Sequence, residues 1–173
     1  MIKALQNKYL ILEQNRERLY DQIEKLDVKQ LNYRPLEGKW SIIQIIFHII
    51  KAEQITVISI NKEIRNTANK TKFGLYSLIR SFLLRYALRS PLKFKAPPLL
   101  RNIPSDYDIH ELKTKWITVR SKLHNALGEI TDESAKKYMF EHPYAGRLSI
   151  YQTMDFLVEH FNHHYRLIKR LAA

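Results

Sequence analysis

The sequence contains no cysteine, and this absence excludes several classes of protein. Without thiolates there is no disulfide framework, no cysteine-based zinc or iron–sulfur site and no cysteine nucleophile. Any thiol chemistry would need a thiol supplied by another molecule. Glycine and proline are also scarce, with 4 and 6 in 173 residues. This scarcity argues against a turn-rich all-β sandwich or a low-complexity chain and favours long helices.

Long apolar runs without charge are absent as well. No stretch reaches the roughly 18 uncharged apolar residues of a membrane span. The N-terminus turns polar within a few residues, so it lacks the apolar core of a signal peptide. We therefore expect a soluble, cytoplasmic protein. With 45% hydrophobic residues, the chain can build one packed domain over residues 1–173.

Acidic residues are few compared with basic ones, 17 Asp and Glu against 29 Lys and Arg, which gives a net charge of +12. Such a charge attracts anionic ligands, phosphates or anionic lipid, but it does not identify which of them is the partner.

Helical periodicity accounts for most of the chain. The predicted helices cover residues 3–26, Trp40 to about Arg65, Phe73–Leu88, Asp106 or Asp108 to Leu127, and Ser149 to the C-terminus. Four of the six prolines lie in Ser90–Asp106, which predicts a long crossover loop, and Thr131–Arg147 is a second connection. The sequence therefore predicts an all-α fold, a four-helix bundle of non-simple topology with one extra short helix.

Three of the seven histidines lie within the segment His160-Phe161-Asn162-His163-His164. Residues four apart on a helix are separated by about 40° around its axis, so His160 and His164 can present two imidazole nitrogens to one ion. His163 lies about 160° from Phe161, the centre of the apolar stripe, and is predicted to face solvent. The last helix therefore offers one pair of metal ligands.

A catalytic metal site needs a third protein ligand and an open position, and His48 is the best candidate. It lies between Phe47 and Ile49 in the most hydrophobic helix, where a neutral imidazole is costly unless its nitrogens are satisfied. Taken alone, it is more simply a core histidine bonded to a backbone carbonyl or a glutamine; the paired histidines favour a ligand. His110 and His124 are predicted to be surface residues.

Two stretches resemble the DinB-like superfamily, the DinB/YfiT-like metalloenzymes. Residues Arg34 to His48 resemble the family pattern rP…gkWSi…H. The segment His142-Pro143-Tyr144-Ala145-Gly146-Arg147-Leu148-Ser149, followed by His160 and His164, resembles HP..G.ls…HxxxH. The resemblance implies a four-helix bundle with a non-simple helix order and a divalent metal held by His48, His160 and His164.

The resemblance leaves the reaction open and assigns no catalytic residue. Relatives include bacillithiol-dependent S-transferases, a mycothiol-dependent isomerase and damage-inducible proteins without an assigned reaction. The leading hypothesis is therefore a metal-dependent transferase of the thiol S-transferase type, or a hydrolase, acting on a small molecule. Zn or Ni suits imidazole ligands best, while Fe and Mn stay open. A low-molecular-weight thiol would serve as cofactor, because three neutral imidazoles leave the ion charged enough to acidify a thiol or water.

Two features depart from the family pattern. Gln44 stands where relatives often carry an acidic residue, and the basic segment Lys70–Lys95 is not a family hallmark. Glu159 either accepts a hydrogen bond that orients the His160 ligand or, like most acidic residues, is a solvated helix residue. Tyr144 and Arg147 are candidates for substrate contacts, to which we assign no role.

The basic segment supports a rival hypothesis, a non-catalytic binding module for nucleic acid or an anionic membrane. Its arginines alternate with large apolar residues, as on basic amphipathic surfaces. The alternative is a solvated helix face, because no known nucleic-acid motif accompanies the charge. A third possibility is a bundle with an intact site whose role is oligomerisation, and a homodimer is the expected assembly.

Overall fold

Helices make up most of the structure, as the sequence predicts. The computed structural model describes residues 1–36, 39–66, 75–90, 103 and 107–173. Its elements are α1 (Lys3–Ile23), α2 (Val28–Asn32), α3 (Ile42–Arg65), α4 (Leu75–Arg89), α5 (Ile109–Gly128), a 3-10 turn (Ser134–Lys136), β1 (Tyr138–His142), β2 (Gly146–Ser149) and α6 (Ile150–Leu171).

Side-chain caps fix the starts of three long helices. The Ser41 hydroxyl accepts a hydrogen bond from the Gln44 backbone N–H, and the Gln44 side chain accepts one from the Ser41 N–H. Ser149 and Gln152 form the same capping box at α6. Asp108 caps α5. The predicted start at Ser149 is confirmed, Asp108 is the cap among the two candidates Asp106 and Asp108, and the helix predicted from Trp40 begins two residues later, at Ile42.

The four long helices, α1, α3, α5 and α6, form a bundle in which α1 and the next long helix, α3, are not neighbours. Both α1 and α3 pack against α5 and α6. Because α1 and α3 share these neighbours and are not among the closely contacting pairs of the described residues, they lie diagonally across the bundle. In a simple up-and-down bundle they would be adjacent. The prediction of a non-simple four-helix topology is confirmed.

Among the four long helices, α3 has the largest number of buried residues. It is long and apolar enough to cross a membrane by length and composition, but 67% of its most apolar stretch is buried inside the fold. Its buried isoleucines contact neighbouring helices on several sides. Such burial is typical of the core helix of a soluble protein.

A buried ion pair joins α3 to α5. Glu53 and Arg120 are each only 1% exposed. Arg120 donates from Nε and Nη2 to the two Glu53 carboxylate oxygens at 2.7 Å each, and the Trp116 indole N–H donates to the same carboxylate at 2.8 Å. This paired charge fixes α3 against α5 little more than one helical turn beyond His48.

Two elements are absent from the sequence interpretation. One is the short helix α2. The other is the antiparallel hairpin β1–β2, which occupies most of the connection predicted at Thr131–Arg147 and pairs His142 with Gly146. Gly146 has φ 68°, a left-handed conformation that glycine adopts without strain. The first helix also ends earlier than predicted, at Ile23. The predicted crossover loop Ser90–Asp106, apart from its residues 90 and 103, lies outside the described residues.

Candidate metal centre

Three buried histidine rings converge between α3 and α6. His48 lies in the second turn of α3, and His160 and His164 lie one helical turn apart on α6. The His160 Nε2 atom is 3.1 Å from the His48 Nε2 atom and 3.2 Å from the His164 Nε2 atom. The side chains are 5%, 8% and 8% exposed. The structure thus brings together the three residues that the sequence analysis singles out.

The spacing of these nitrogens fits a shared metal ion. Ligand nitrogens about 2.0–2.1 Å from a tetrahedral ion stand about 3.3–3.4 Å apart, and nitrogens at right angles stand about 2.8–3.0 Å apart. The observed 3.1 and 3.2 Å lie between these values. One ligand atom from each of the three residues lies within 4.8 Å of the others. The group could therefore hold a divalent ion with little rearrangement.

The three rings are uncharged at neutral pH. Burial, aided by His163, lowers the pKa of His48 to about 4. Burial and the neighbouring imidazoles hold the pKa values of His160 and His164 well below the usual value. Because an imidazole must be deprotonated to bind a metal, protons compete little for these nitrogens near pH 7.

Packing against aromatic rings orients the cluster. The Trp40 ring lies 4.9 Å from the His48 ring, and the Phe156 ring lies 5.3 Å from the His160 ring, between centroids. Within the described part of the chain, the outer Nδ1 atoms of His48 and His164 are buried without a hydrogen-bond partner. In most metal sites an outer acceptor orients each histidine; here ring packing orients His48.

Gln44 has a structural role one turn before His48. Its side-chain oxygen completes the Ser41 cap, and its amide Nε2 donates to the Ile103 carbonyl at 3.3 Å. The position at which relatives often carry an acid therefore fixes the start of α3 and supplies no carboxylate to the rings.

Two α6 side chains correct the sequence interpretation. His163, predicted to face solvent, is half-buried, and its Nδ1 lies 3.0 Å from the Leu88 carbonyl oxygen. Glu159, for which a solvated position is the main prediction, is buried and forms an ion pair with Arg89. The reason for both differences is α4, which packs on the side of α6 that the helix phase assigns to solvent. His163 nevertheless lies outside the group of converging ligand atoms.

His142 is a buried residue near the site that the sequence analysis assigns only to a motif. Its Nδ1 accepts the backbone N–H groups of Tyr144 and Ala145 at 3.2 Å each, which closes the hairpin turn. Burial lowers its pKa to about 4. Its ring lies 4.6 Å from Phe156, the ring that packs on His160. Pro143 and Gly146, which are typical turn residues, are the sequence feature from which this hairpin could be predicted.

The remaining candidates lie on the surface. His110 and His124 are exposed, as predicted. Tyr144 is 59% exposed in the hairpin turn, and the exposed Arg147 places its guanidinium over the Tyr138 ring. Both ends of the basic segment Lys70–Lys95 lie outside the described residues.

Comparisons with known proteins agree with this fold. A model of the DinB superfamily matches residues 11–168. Among solved structures, the chain resembles YfiT from Bacillus subtilis, which is described as a probable metal-dependent hydrolase with an unusual four-helix bundle topology. The TM-score is 0.65 with 16% sequence identity, over 99% of this chain and 87% of that one. A search of curated proteins finds no match. Since the family model spans most of its length, the protein belongs to the DinB superfamily.

Proposed function

We propose that this protein is a metal-dependent enzyme that acts on a small molecule, with His48, His160 and His164 holding the ion. The observation that supports the proposal is the convergence of three buried, neutral Nε2 atoms on one point. Three imidazoles on a polar bundle surface would need no explanation. Three imidazoles in a core, at ligand spacing and with lowered pKa values, are costly unless they serve a ligand.

A divalent ion in this position would supply Lewis-acid chemistry, because it polarises a substrate oxygen and lowers the pKa of a water or thiol beside it. The chain's own residues contribute the rest. The neutral rings leave the ionic charge undiminished, and the Trp40 and Phe156 side chains pack against His48 and His160 and orient them. Glu159 is engaged by Arg89, so we assign it no proton transfer.

Two reaction types remain open within this proposal. Hydrolysis is favoured by the description of YfiT as a probable metal-dependent hydrolase. Thiol transfer requires a low-molecular-weight thiol, because the chain has no cysteine, and a net charge of +12 would attract an anionic one. Imidazole ligands favour Zn or Ni over Fe or Mn. A cytoplasmic location and a homodimer stay predictions.

The test compares stripped and reloaded protein in two assays. Chelator-treated protein is reloaded with Zn, Ni, Mn or Fe. It is then given p-nitrophenyl esters in one assay, and an electrophilic bimane with bacillithiol or mycothiol in the other. In one of the two assays, we expect reloading with metal to restore the activity of the wild type but not that of His164→Ala. His124→Ala, an exposed histidine of α5, is the matched control and should keep full activity. Activity that survives both metal removal and His164→Ala would contradict the proposal.

A further inference from the structure

Helix α4 exposes a row of large apolar side chains to solvent. Ile79, Phe82, Leu83 and Tyr86 are 50%, 62%, 57% and 67% exposed. Their spacing of three, four and seven places them within an arc of about 100° on the helix. No other helix in the described ranges exposes more than two large apolar residues. We call these four residues the outer face of α4.

The outer face is distinct from the face that holds α4 on the bundle. Leu84 and Leu88 are buried, and α4 packs on α6 and β2. At about 100° per residue, these two positions lie roughly opposite the outer face. A helix that is apolar on two opposite sides is normally covered on both. In the described residues, α4 is covered on one side only.

Cations lie along the two borders between these faces. Arg80 lies on one border, and Arg85 and Arg89 lie on the other. Arg85 and Arg89 reach back to Asp155 and Glu159 of α6. Residues 70–95 contain seven Lys and Arg and no acidic residue. Exposed Phe, Leu, Ile and Tyr with cations at the borders are the pattern of helices that lie in the surface of an anionic membrane.

We infer that the outer face of α4 docks this protein on an anionic lipid surface. Pairing of two copies would bring together two chains that each have a net charge of +12, which like-charge repulsion opposes. A nucleic acid would leave Ile79 and Leu83 without a partner, because bases stack on aromatic and not on aliphatic side chains. An anionic bilayer accommodates both features, the apolar row and the positive net charge of the chain. This inference goes beyond the proposed enzyme and does not depend on it.

Co-sedimentation of the full chain with vesicles tests the inference. We expect binding to phosphatidylcholine vesicles that contain phosphatidylglycerol, weakening with salt, and little binding to phosphatidylcholine alone. Replacing Phe82 and Leu83 together by Ser should weaken binding about tenfold or more, because two apolar side chains no longer enter the bilayer. The matched control replaces Ile58 and Ile117, exposed residues of α3 and α5, by Ser and should bind as the wild type does.

Several results would overturn the inference. The first is that the wild type does not bind the anionic vesicles. The second is that both double variants lose vesicle binding to the same extent. The third is that the wild type binds neutral and anionic vesicles equally. Sedimentation velocity detects dimers. A dimer that is lost in the Phe82→Ser, Leu83→Ser double variant but kept in the control double variant would show that a second copy is the partner. DNA binding that is lost in the same variant would show that a nucleic acid is the partner.

Two controls complete the experiment. Unchanged vesicle binding by His164→Ala separates this inference from the metal site. Circular dichroism establishes that each variant is folded.

Discussion

Acid should destabilise the metal-free protein because four neutral histidines are buried in it. His48 and His142 have pKa values lowered to about 4, and those of His160 and His164 are held well below the usual value. In the unfolded chain each would titrate near 6.5. Below that pH the unfolded state binds more protons than the folded state. The stability is therefore present above pH 6.5 and is lost as the pH falls toward 4.

The magnitude follows from linkage. For a histidine whose pKa is near 6.5 in the unfolded chain and near 4 in the folded protein, the free energy of unfolding falls by about 2 kcal/mol between pH 7 and pH 5. His48 and His142 together lower the free energy of unfolding by about 4 kcal/mol over this interval, and the lowered pKa values of His160 and His164 act in the same direction. Because the free energy of unfolding of a domain is about 5–15 kcal/mol, this loss removes a large part of the stability of the metal-free protein at pH 5.

Urea unfolding in the presence of chelator, followed by circular dichroism at pH 7 and pH 5, measures this loss. His48→Leu should reduce the difference between the two free energies of unfolding by about 2 kcal/mol, since one titrating group is removed. His124→Gln, at an exposed position, should leave the difference unchanged. Free energies that agree within about 1 kcal/mol at the two pH values, or an unchanged difference in His48→Leu, would refute the reasoning.

Three further predictions concern structural contacts around the histidine cluster. Glu53→Ala should lower the free energy of unfolding by about 3–5 kcal/mol in denaturant titrations, because it leaves the buried Arg120 guanidinium without its main partner; a loss below about 1 kcal/mol would contradict this. Gly146→Ala should cost about 1–2 kcal/mol in the same assay, because alanine is strained at φ 68°. Arg89→Ala should speed amide hydrogen exchange in α4 by removing its link to Glu159; unchanged exchange would show that apolar packing alone holds α4.

Much of the site can be predicted from sequence because its signals are local. Ser149 and Gln152 cap α6, and the spacing of His160 and His164 then places both rings on one side of that helix. His48 is conspicuous because it is a polar residue among isoleucines in a capped helix. Each of these inferences needs only the residues of one helix and its cap.

The corrections concern contacts between distant parts of the chain. The phase of α6 assigns His163 to the outside, and the usual exposure of acidic residues does the same for Glu159. However, α4 lies on that side, and Arg89 neutralises the carboxylate. No periodicity within α6 reveals where α4 docks. The hairpin was missed for a related reason: strands of five and four residues are too short for a clear alternating pattern, and they depend on packing against α3 and α6.

Metal stoichiometry is the most direct test of the account, because it separates an occupied site from a bare histidine cluster. The wild type, His164→Ala and His163→Ala are dialysed against Zn at neutral pH and analysed by elemental mass spectrometry. His163 bonds to the Leu88 carbonyl and lies outside the converging group, so its loss should leave the metal in place. We predict one ion per chain in the wild type and in His163→Ala, and little in His164→Ala. Metal that persists in His164→Ala, or that is missing from the wild type, would contradict the assignment of the three histidines.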